Sequence, residues 1–579
     1  MALVLCLVVA AAASMEPSTS SPGVAADAAL SKLPIQVVAG SAPRQTFRGF
    51  GWTAVPGSGG TLRGNGATPY HAPMGNFSED VREHLLTLLC EDLGASVVRV
   101  WWTPDDALDG GWHGGDHGRY TGDEQFAAAY VDSGLISDLR RHGIKQLLLA
   151  PGGACAPGAK NSTAGGHNIT RRAEMTAAFI DKLKRQNNVT IDVTGLANEP
   201  GCWHTWQNAS GDTIVANWPA VPDRSGNFVG AVTQLSQHLV SRGLHSVKII
   251  GPESSNADSV NLAMVKACGA DRACWSALDS IASHSYGMAA TESWANATAE
   301  AGQPAKGYWV TESGAFGSLD VPAAFPGPHP GKYQGVTMAC RFLNDLNHNV
   351  GTWLWFIGAW IHDTQMSTFP DGSRQEDQRL IATCPGLASG GDGKPCFGGN
   401  TTAQFQIMPT YWFAKQLRDT FDLGAVMRFS TANTTKTNRD GKSVPFVPDM
   451  VWTAGVKAPL NVAVGKNPDG SWAVGVANPT GIPVHHKAGT AGGADFPNAT
   501  ELTVELVLEE LTIMRGGEAG LGGRAGPISF VAHRSTGDES YIVKEADAVV
   551  MRDGKLQVKV GPNELLTLRS APDTARTVQ

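Results

Sequence analysis

The stretch Ile191–Pro200 reads IDVTGLANEP, a short apolar run that closes in an amide and a carboxylate. Seven other short runs of β-branched or aromatic residues recur along the chain. Such runs, bounded by turn residues, are typical of buried strands. The eight predicted strands are Phe47–Ala54, Ser96–Trp102, Ile144–Ala150, Ile191–Ala197, Ser246–Gly251, Ser280–Ser285, Gly307–Thr311 and Val350–Phe356.

Helical periodicity lies between these strands. Ser78–Leu93 opens with a serine cap and early acids, and it places Leu85 and Leu89 on one face. The same pattern predicts helices over Asp132–His142, Arg171–Gln186, Phe228–Arg242, Ser259–Cys268, Tyr333–Asn347 and Pro409–Thr420. Strands that alternate with helices in this way predict an α/β fold, a (β/α)8 TIM barrel over residues 47–423. An open, doubly wound sheet is the alternative, because periodicity alone does not show closure.

The pattern changes to strands and turns from about Gly424. Predicted strands are Ala425–Ser430, Met450–Val456, Leu460–Gly465, Trp472–Ala477, Leu502–Leu508 and Leu556–Leu568. The stretch Asn467-Pro468-Asp469-Gly470 is typical of a hairpin turn. We therefore expect an accompanying all-β sandwich domain made of residues 424–579, to which the extended segment 33–46 adds a strand.

Composition narrows the class of protein. The chain has 579 residues, of which 42% are hydrophobic and 17% charged, so a large core is expected. The net charge is −8 and basic runs are absent, which argues against a nucleic-acid partner. Residues 1–13 are apolar and end in small residues, as in a signal peptide, and a flexible segment 14–32 follows. We expect a monomer without stable membrane insertion that is secreted or lysosomal/vacuolar.

Two further patterns fit the secretory pathway. N-glycosylation acceptors begin at Asn76, Asn161, Asn168, Asn188, Asn208, Asn296, Asn400, Asn433 and Asn498. Of nine cysteines, loss of Cys6 with the signal leaves an even number. The close pairs Cys268/Cys274 and Cys384/Cys396 are plausible disulfides, and Cys155/Cys202 is a third candidate. Cys90 and Cys340 lie in helical patterns, and the sequence leaves open whether they pair.

Two carboxylates carry the chemistry that we expect. Functional groups of a TIM barrel gather at the carboxyl ends of its strands. Glu199 follows the fourth predicted strand and Glu312 follows the seventh, so both would lie at one mouth. A pair of opposed carboxylates suits cleavage of a glycosidic bond, in which one donates a proton and the other attacks or activates water. Arg99 at the end of strand two would hold the attacking carboxylate ionised. The alternative is that both acids are structural.

These residues also resemble a known family. The motifs Gly49-Phe50-Gly51, Asn198-Glu199-Pro200, His284-Ser285-Tyr286 and Thr311-Glu312-Ser313 resemble the clan of retaining glycosidases with catalytic glutamates on barrel strands four and seven. Within that clan the chain, from about Leu33 to Leu568, is most similar to glycoside hydrolase family 30. The resemblance implies a β-sandwich beside the barrel, built partly from N-terminal chain.

The resemblance also implies roles for single residues. Glu199 would be the acid/base, Glu312 the nucleophile, and Asn198 would bind the sugar 2-hydroxyl. Tyr286 and Arg99 would orient and ionise Glu312, with His284 nearby. Trp355 would form the floor under the sugar, and His284 and Tyr286 are further implied substrate contacts. Trp52 departs from the family, which usually has a small residue there, and we expect it to contact the substrate and reshape the innermost subsite.

Other side chains are candidates for the same end of the barrel. Trp101, Trp102, Trp203, Trp206, Trp353 and Trp360 are candidates to stack on sugar rings, or to pack in the core instead. Of these, Trp102 and Trp203 are the preferred sugar platforms. A structural role is the preferred interpretation of Glu253. His113 and His117 lie in a Gly-rich rather than helical segment, where their spacing imposes no fixed geometry, so we expect no metal there. We also expect no cofactor.

The sequence therefore predicts a retaining β-glycoside hydrolase with a carbohydrate substrate. That substrate would be a β-linked glycan or glycoside, such as a cell-wall polysaccharide or a glucosylceramide-like glycoside. One alternative is a catalytically inactive carbohydrate-binding protein on the same scaffold. Another is a metal-dependent barrel hydrolase, although the usual ligand clusters are absent from the sequence.

Overall fold

A computed structural model describes most of the chain. The described residues are 34–54, 79–102, 122–152, 169–199, 206–207, 213–214, 224–254, 256–257, 259–285, 290–299, 303–314, 320–321, 334–361, 374–375, 379–383, 405–437, 443–446, 460–480, 499–513, 527–536 and 544–572. The predicted signal peptide 1–13, the segment 14–32 and the strand Met450–Val456 lie outside them. No helix in the described part is both long and apolar enough to cross a membrane.

Eight parallel strands close into a barrel, so the prediction of a closed TIM barrel rather than an open sheet is confirmed. In chain order they are Gly49–Ala54, Val97–Trp102, Gln146–Pro151, Val193–Thr194, Lys248–Ser254, Leu278–Ser285, Gly307–Ser313 and Thr352–Trp355. Each strand pairs with the next, and the eighth pairs with the first. We refer to them as barrel strands one to eight.

Seven helices lie where the apolar periodicity predicts them. They are Glu79–Leu86 continued by a π-helix Thr87–Asp92, Leu135–Arg141, Ile169–Asn187, Arg224–Ser241, Ser259–Ala270, Gln334–Asn347 and Pro409–Thr420. Within the described residues the structure adds four that were not predicted: Asp123–Phe126 continued by a π-helix Ala127–Asp132, Arg272–Ala277, Glu292–Asn296, and Glu509–Ile513, which contacts the second sheet. The apolar faces of the helices around the barrel pack on the outer side of the barrel wall and form the largest hydrophobic core.

Side chains fill the barrel itself. A separate inner cluster consists of Val97, Leu148, Val193, Ile250, Ala282, Trp309 and Leu354, one residue from each of seven strands. Because side chains alternate along a strand, this inner layer fixes which residues of each strand face the barrel interior and which face the helices.

A second, mostly antiparallel sheet of ten strands accompanies the barrel and encloses its own core. In spatial order nine of its strands are Lys544–Met551, Ile528–Thr536, Glu564–Ser570, Trp472–Asn478, Asn461–Lys466, Val426–Thr437, Ile35–Thr46, Leu502–Leu508 and Lys555–Val560; Ser443–Phe446 pairs with Val426–Thr437. The N-terminal segment supplies a strand of this sheet, as predicted, and that strand lies between Val426–Thr437 and Leu502–Leu508. Three short sheets complete the structure: Trp206–Gln207 with Thr213–Ile214, Asp320–Val321 with Arg374–Gln375, and Ala359–Ile361 with Ile381–Thr383 and Phe405–Ile407.

Some details of this sheet differ from the prediction. The predicted strand Leu556–Leu568 is two strands, because Gly561-Pro562-Asn563 forms a turn with Asn563 at a φ of 52°. The strands Ile528–Thr536, Lys544–Met551 and Ser443–Phe446 were not predicted. The turn at residues 467–470 does join two antiparallel strands, and Gly470 there has a φ of 84°.

One helix couples the two parts of the structure. Gln334–Asn347 precedes barrel strand eight and packs on both the barrel and the second sheet. Its Phe342 ring lies 5.2 Å from Trp353 of the barrel, and Leu343 lies against Gly475 of the sheet. The Asn347 side chain donates to the Ser430 carbonyl at 3.0 Å and accepts from the Ser430 amide at 2.7 Å. The barrel and the second sheet therefore share a continuous interface.

The cysteines are resolved in part. The predicted disulfide Cys268–Cys274 is present. Cys90 and Cys340 are buried thiols, and burial raises the pKa of each to about 12. The other predicted pairs lie outside the described residues: Cys155/Cys202 and Cys384/Cys396.

Candidate active site

Two glutamates meet at the carboxyl end of the barrel. Glu312 lies in barrel strand seven, and Glu199 follows strand four. One carboxylate oxygen of each, together with Nδ1 of His284, lies in a group of atoms all within 4.8 Å of one another. The Glu312 side chain is 4% exposed and that of Glu199 is 23% exposed. The more open carboxyl is therefore the one on strand four.

Arg99 of strand two organises this mouth from the inside of the barrel. It is fully buried, and its Nη1 pairs with Glu312 Oε1. Its Nη2 donates to Asn198 Oδ1 at 2.6 Å, and its Nε and Nη2 each lie 3.4 Å from Glu253 Oε1. One guanidinium thus joins the ends of four strands: two, four, five and seven.

His284, at the end of strand six, lies between the two glutamates. Its Nδ1 is 3.0 Å from Glu199 Oε1 and 3.5 Å from Glu312 Oε2. Burial lowers the pKa of His284 to about 3, with Glu312 raising it and Arg99 lowering it further. The imidazole is therefore neutral near pH 7, and a proton on Nδ1 would be donated to a carboxylate.

Glu253 of strand five is a fully buried carboxyl below this cluster. Burial raises its pKa; Arg99 and the Thr311 hydroxyl lower it, and Glu312 raises it. Sequence reasoning favoured a merely structural role for this residue. Its contact with Arg99 shows that it belongs to the same charged cluster as Glu312. A signal was available, since a carboxylate inside an apolar strand end needs a buried partner.

Two aromatic side chains lie on the inner face beside Arg99. The guanidinium carbon of Arg99 is 4.9 Å from the ring centroid of Trp101. Phe356, just after strand eight, meets Trp101 edge-on with ring centroids 6.5 Å apart. Trp101 was one of the weighed candidates, whereas Phe356 was not predicted.

The structure corrects three other aromatic assignments. Trp102 stacks on Phe179 at 4.3 Å, and Trp52 donates from Nε1 to the Leu89 carbonyl at 3.2 Å. Trp355 is fully buried beside Trp353, with ring centroids 5.8 Å apart. Trp52, Trp102, Trp353 and Trp355 all belong to the outer core between barrel and helices. The alternation of side chains along each strand turns these rings away from the mouth.

The structure describes some of the remaining predicted site residues. Arg99, Asn198 and His284 are brought to the two glutamates. Tyr286 and Trp203 lie outside the described residues. For Trp206 and Trp360 the structure describes only the backbone, in short strands.

Comparison with known proteins finds this fold at low sequence identity. No family model matches the chain, and a search of curated proteins gives no match. The catalytic domain of a GH30 xylanase C from Talaromyces cellulolyticus is 13% identical with a TM-score of 0.53, covering 93% of this chain and 100% of the other. A GH51 arabinofuranosidase from Xanthomonas axonopodis pv. citri is 12% identical with a TM-score of 0.51, and the match covers 93% of this chain and 100% of the other. An endo-β-1,6-glucanase is 13% identical with a TM-score of 0.50, and the match covers 93% of this chain and 94% of the other. These similarities establish the fold, a closed barrel with an accompanying β domain.

Proposed function

We propose that this chain is a β-glycoside hydrolase that retains the configuration of the sugar and resembles family 30. The observation that carries the proposal is the convergence of Glu199 and Glu312, with carboxylate oxygens within 4.8 Å. In retaining glycosidases the two carboxyl groups lie about 5–5.5 Å apart, whereas inverting enzymes need about 6.5–9.5 Å. The proteins of the same fold named above include a xylanase, an arabinofuranosidase and a glucanase, so the scaffold suits this reaction class.

The surroundings of the two carboxyls support a different role for each. Glu312 forms a buried ion pair with Arg99, which supports its assignment as the nucleophile that attacks the anomeric carbon. Glu199 is the more exposed of the two carboxyls, and its Oε1 lies 3.0 Å from Nδ1 of the neutral His284. The acid/base has to exchange protons with the leaving oxygen and with water, so the more open carboxyl, Glu199, fits this role.

The reaction then has two steps. In the first, Glu312 bonds to the anomeric carbon while Glu199 gives its proton to the departing oxygen, which leaves as an alcohol. In the second, the Glu199 carboxylate takes a proton from water, and the oxygen of that water displaces Glu312 from the sugar. Asn198, which accepts a hydrogen bond from Arg99, would bind the sugar 2-hydroxyl. We propose a β-linked glycan or glycoside as substrate, in line with the resemblance.

A mechanism-based inhibitor tests the assignment of the nucleophile. Activated 2-fluoro glycosides of several sugars are incubated with the enzyme, and labelled peptides are mapped by mass spectrometry. Label is expected on Glu312 in the wild type, at a reduced rate in Glu199→Gln, and not in Glu312→Gln. The matched control is Glu501→Gln on the sheet surface, where the side chain is 54% exposed. Label on another residue, or a product of inverted configuration by NMR, contradicts the proposal.

A metal-dependent hydrolase is the second candidate, because Glu199, His284 and Glu312 could together offer three ligand atoms. The position of Arg99 argues against it, since a cation there would lie beside a guanidinium already paired with Glu312. Dialysis against EDTA separates the two. Loss of activity that Zn²⁺ restores supports the metal enzyme, and unchanged activity supports the two-glutamate mechanism.

We also propose that the chain is a secreted or lysosomal/vacuolar glycoprotein, with residues 33–46 and 424–579 forming a domain beside the barrel domain 47–423. Two predicted glycosylation sites within the described residues, Asn188 and Asn296, are exposed as attachment requires. Expression in a eukaryotic host should yield a protein that begins after residue 13 and loses mass on treatment with an N-glycanase. A single species of monomer mass in light scattering is expected.

A further inference from the structure

Glu253 touches both halves of the proposed machinery without facing the substrate. Its side chain is fully buried, and Oε1 lies 3.4 Å from both Nε and Nη2 of Arg99. Nη1 of the same guanidinium pairs with Glu312, and Nη2 also donates to Asn198. Arg99 therefore contacts the buried carboxyl of Glu253 and two functional groups of the site at once.

The backbone of Glu253 makes a second connection. Its carbonyl oxygen accepts the amide hydrogen of Glu199 at 3.0 Å. Glu199 has a φ of 49°, in the left-handed region that non-glycine residues rarely adopt. Such a conformation persists only where neighbours hold it in place. The same residue thus fixes the backbone of the acid/base and, through Arg99, the position of the nucleophile.

Strand four leaves room for this carboxyl. A Cβ atom built on Gly195 would lie 1.8 Å from Glu253 Oε2 and 2.8 Å from its Cδ. No other residue fits there unless the carboxyl moves. The absence of a side chain at Gly195 and the carboxyl of Glu253 are therefore two parts of one built arrangement.

Charge balance suggests the state of Glu253. Arg99 is one positive charge within reach of two buried carboxyls, Glu253 and Glu312. Burial raises the pKa of Glu253, which favours its neutral form. A neutral Glu253 still accepts hydrogen bonds from Arg99 and leaves the whole positive charge of the guanidinium to Glu312.

We propose that Glu253 is a positioning residue for the hydrolysis, which acts by clamping Arg99 against Glu312 and Asn198 and by holding the backbone of Glu199. This inference rests on the proposed function. It requires the shape and the hydrogen-bond acceptor of Glu253 but not its negative charge.

Three substitutions test these requirements. Glu253→Gln keeps the shape and the acceptor, Glu253→Ala removes both, and Gly195→Ala displaces the carboxyl. A misplacement of about 1 Å at a reacting group can cost about 100-fold in rate. We expect Glu253→Ala and Gly195→Ala each to lower kcat about 100-fold with KM within about threefold, and Glu253→Gln to stay within about fivefold with an unchanged pH profile.

The double variant Gly195→Ala/Glu253→Ala isolates the contact. Removal of the carboxyl also removes the clash, so the double variant should be no slower than Glu253→Ala. Active-site titration with the 2-fluoro glycoside counts folded, competent enzyme in every sample, and Glu501→Gln serves as the matched control.

The outcomes separate this inference from the proposed function. Wild-type turnover and label on Glu312 are measured first, and their absence overturns both. If the wild type is labelled and Glu253→Ala keeps kcat within threefold per titrated site, the positioning role alone is overturned. It is overturned equally if Glu253→Gln is as slow as Glu253→Ala, since charge would then be the requirement, or if the losses in the double variant multiply.

Discussion

Loss of His284 should change how the stability of this protein depends on pH. Burial lowers the pKa of His284 to about 3, from an ordinary value of 6.5 in the unfolded chain. Between those two pH values the unfolded chain binds a proton that the folded chain does not. The free energy of unfolding therefore falls as the pH is lowered from 6.5 towards 3, and this contribution is fully present only above pH 6.5.

The size of the effect follows from the difference in pKa. One pKa unit corresponds to about 1.4 kcal/mol, so the contribution lost on acidification reaches about 5 kcal/mol near pH 3 and about 3 kcal/mol at pH 4. His284→Asn and His284→Leu both remove the titrating group. Their absolute stabilities should differ, because they leave different contacts to Glu199 and Glu312. Their stability relative to wild type should nevertheless rise by the same amount, about 3 kcal/mol, between pH 7 and pH 4.

Urea denaturation of the three proteins at half-unit steps from pH 4 to pH 7 measures this directly. Titrating groups away from the site are common to all three proteins and cancel in the difference. Agreement between the two variants then shows that the difference comes from the proton of His284 and not from altered contacts to Glu199 and Glu312. Parallel curves for wild type and both variants would show that His284 takes up its proton in the folded state. The neutral imidazole placed here between the two glutamates would then be wrong.

Four further substitutions report on other parts of the structure. Burial raises the pKa of Asp345 to about 6, so its effect on stability has the opposite pH dependence to that of His284. The stabilising contribution is fully present below about pH 4 and is lost as the pH rises. Wild type should therefore lose about 3 kcal/mol relative to Asp345→Asn between pH 4 and pH 7 in the same denaturation series. Trp102→Leu should cost about 3 kcal/mol of stability with kcat and KM unchanged, whereas Trp101→Leu should lower kcat/KM at least about tenfold, measured with an aryl glycoside. Gly475→Val places a Cβ 2.5 Å from Leu343 Cδ2 and should lower stability by about 1–3 kcal/mol, part of which Leu343→Ala restores in thermal unfolding.

The architecture could be predicted because each barrel strand is a short apolar run that its flanking helices bound. The rule that functional groups gather at the carboxyl ends of barrel strands then placed Glu199 and Glu312 at one mouth. Arg99, Asn198 and His284 followed from the same rule. What they share is a position at the very end of a strand, where the sequence changes from apolar to polar.

The direction of the tryptophans could not be predicted, and the reason is physical. Strand two, Val97–Trp102, is buried on both faces along its whole length. A strand buried on both faces has no alternation of polar and apolar residues from which the inward face could be read. A shift of one residue moves every side chain to the other face. Trp101 and Trp102 are therefore equivalent in the sequence, and only the closed barrel decides that Trp101 lies beside Arg99 and Trp102 beside Phe179.

The buried position of Glu253 could have been used to predict its contact with a cation. The run Ser246–Gly251 predicts a buried strand, and the carboxyl of Glu253 just after it must meet a cation or keep its proton. The eight barrel strands of the structure contain one arginine, Arg99, and both Glu253 and Glu312 contact it. The competition of Glu253 and Glu312 for that single guanidinium is thus implied by the sequence once closure is assumed. The space at Gly195 is not implied by the sequence, because it depends on how closely strands four and five approach each other. For this reason a role that looked structural in the sequence becomes, in the folded barrel, a means of placing the reacting groups.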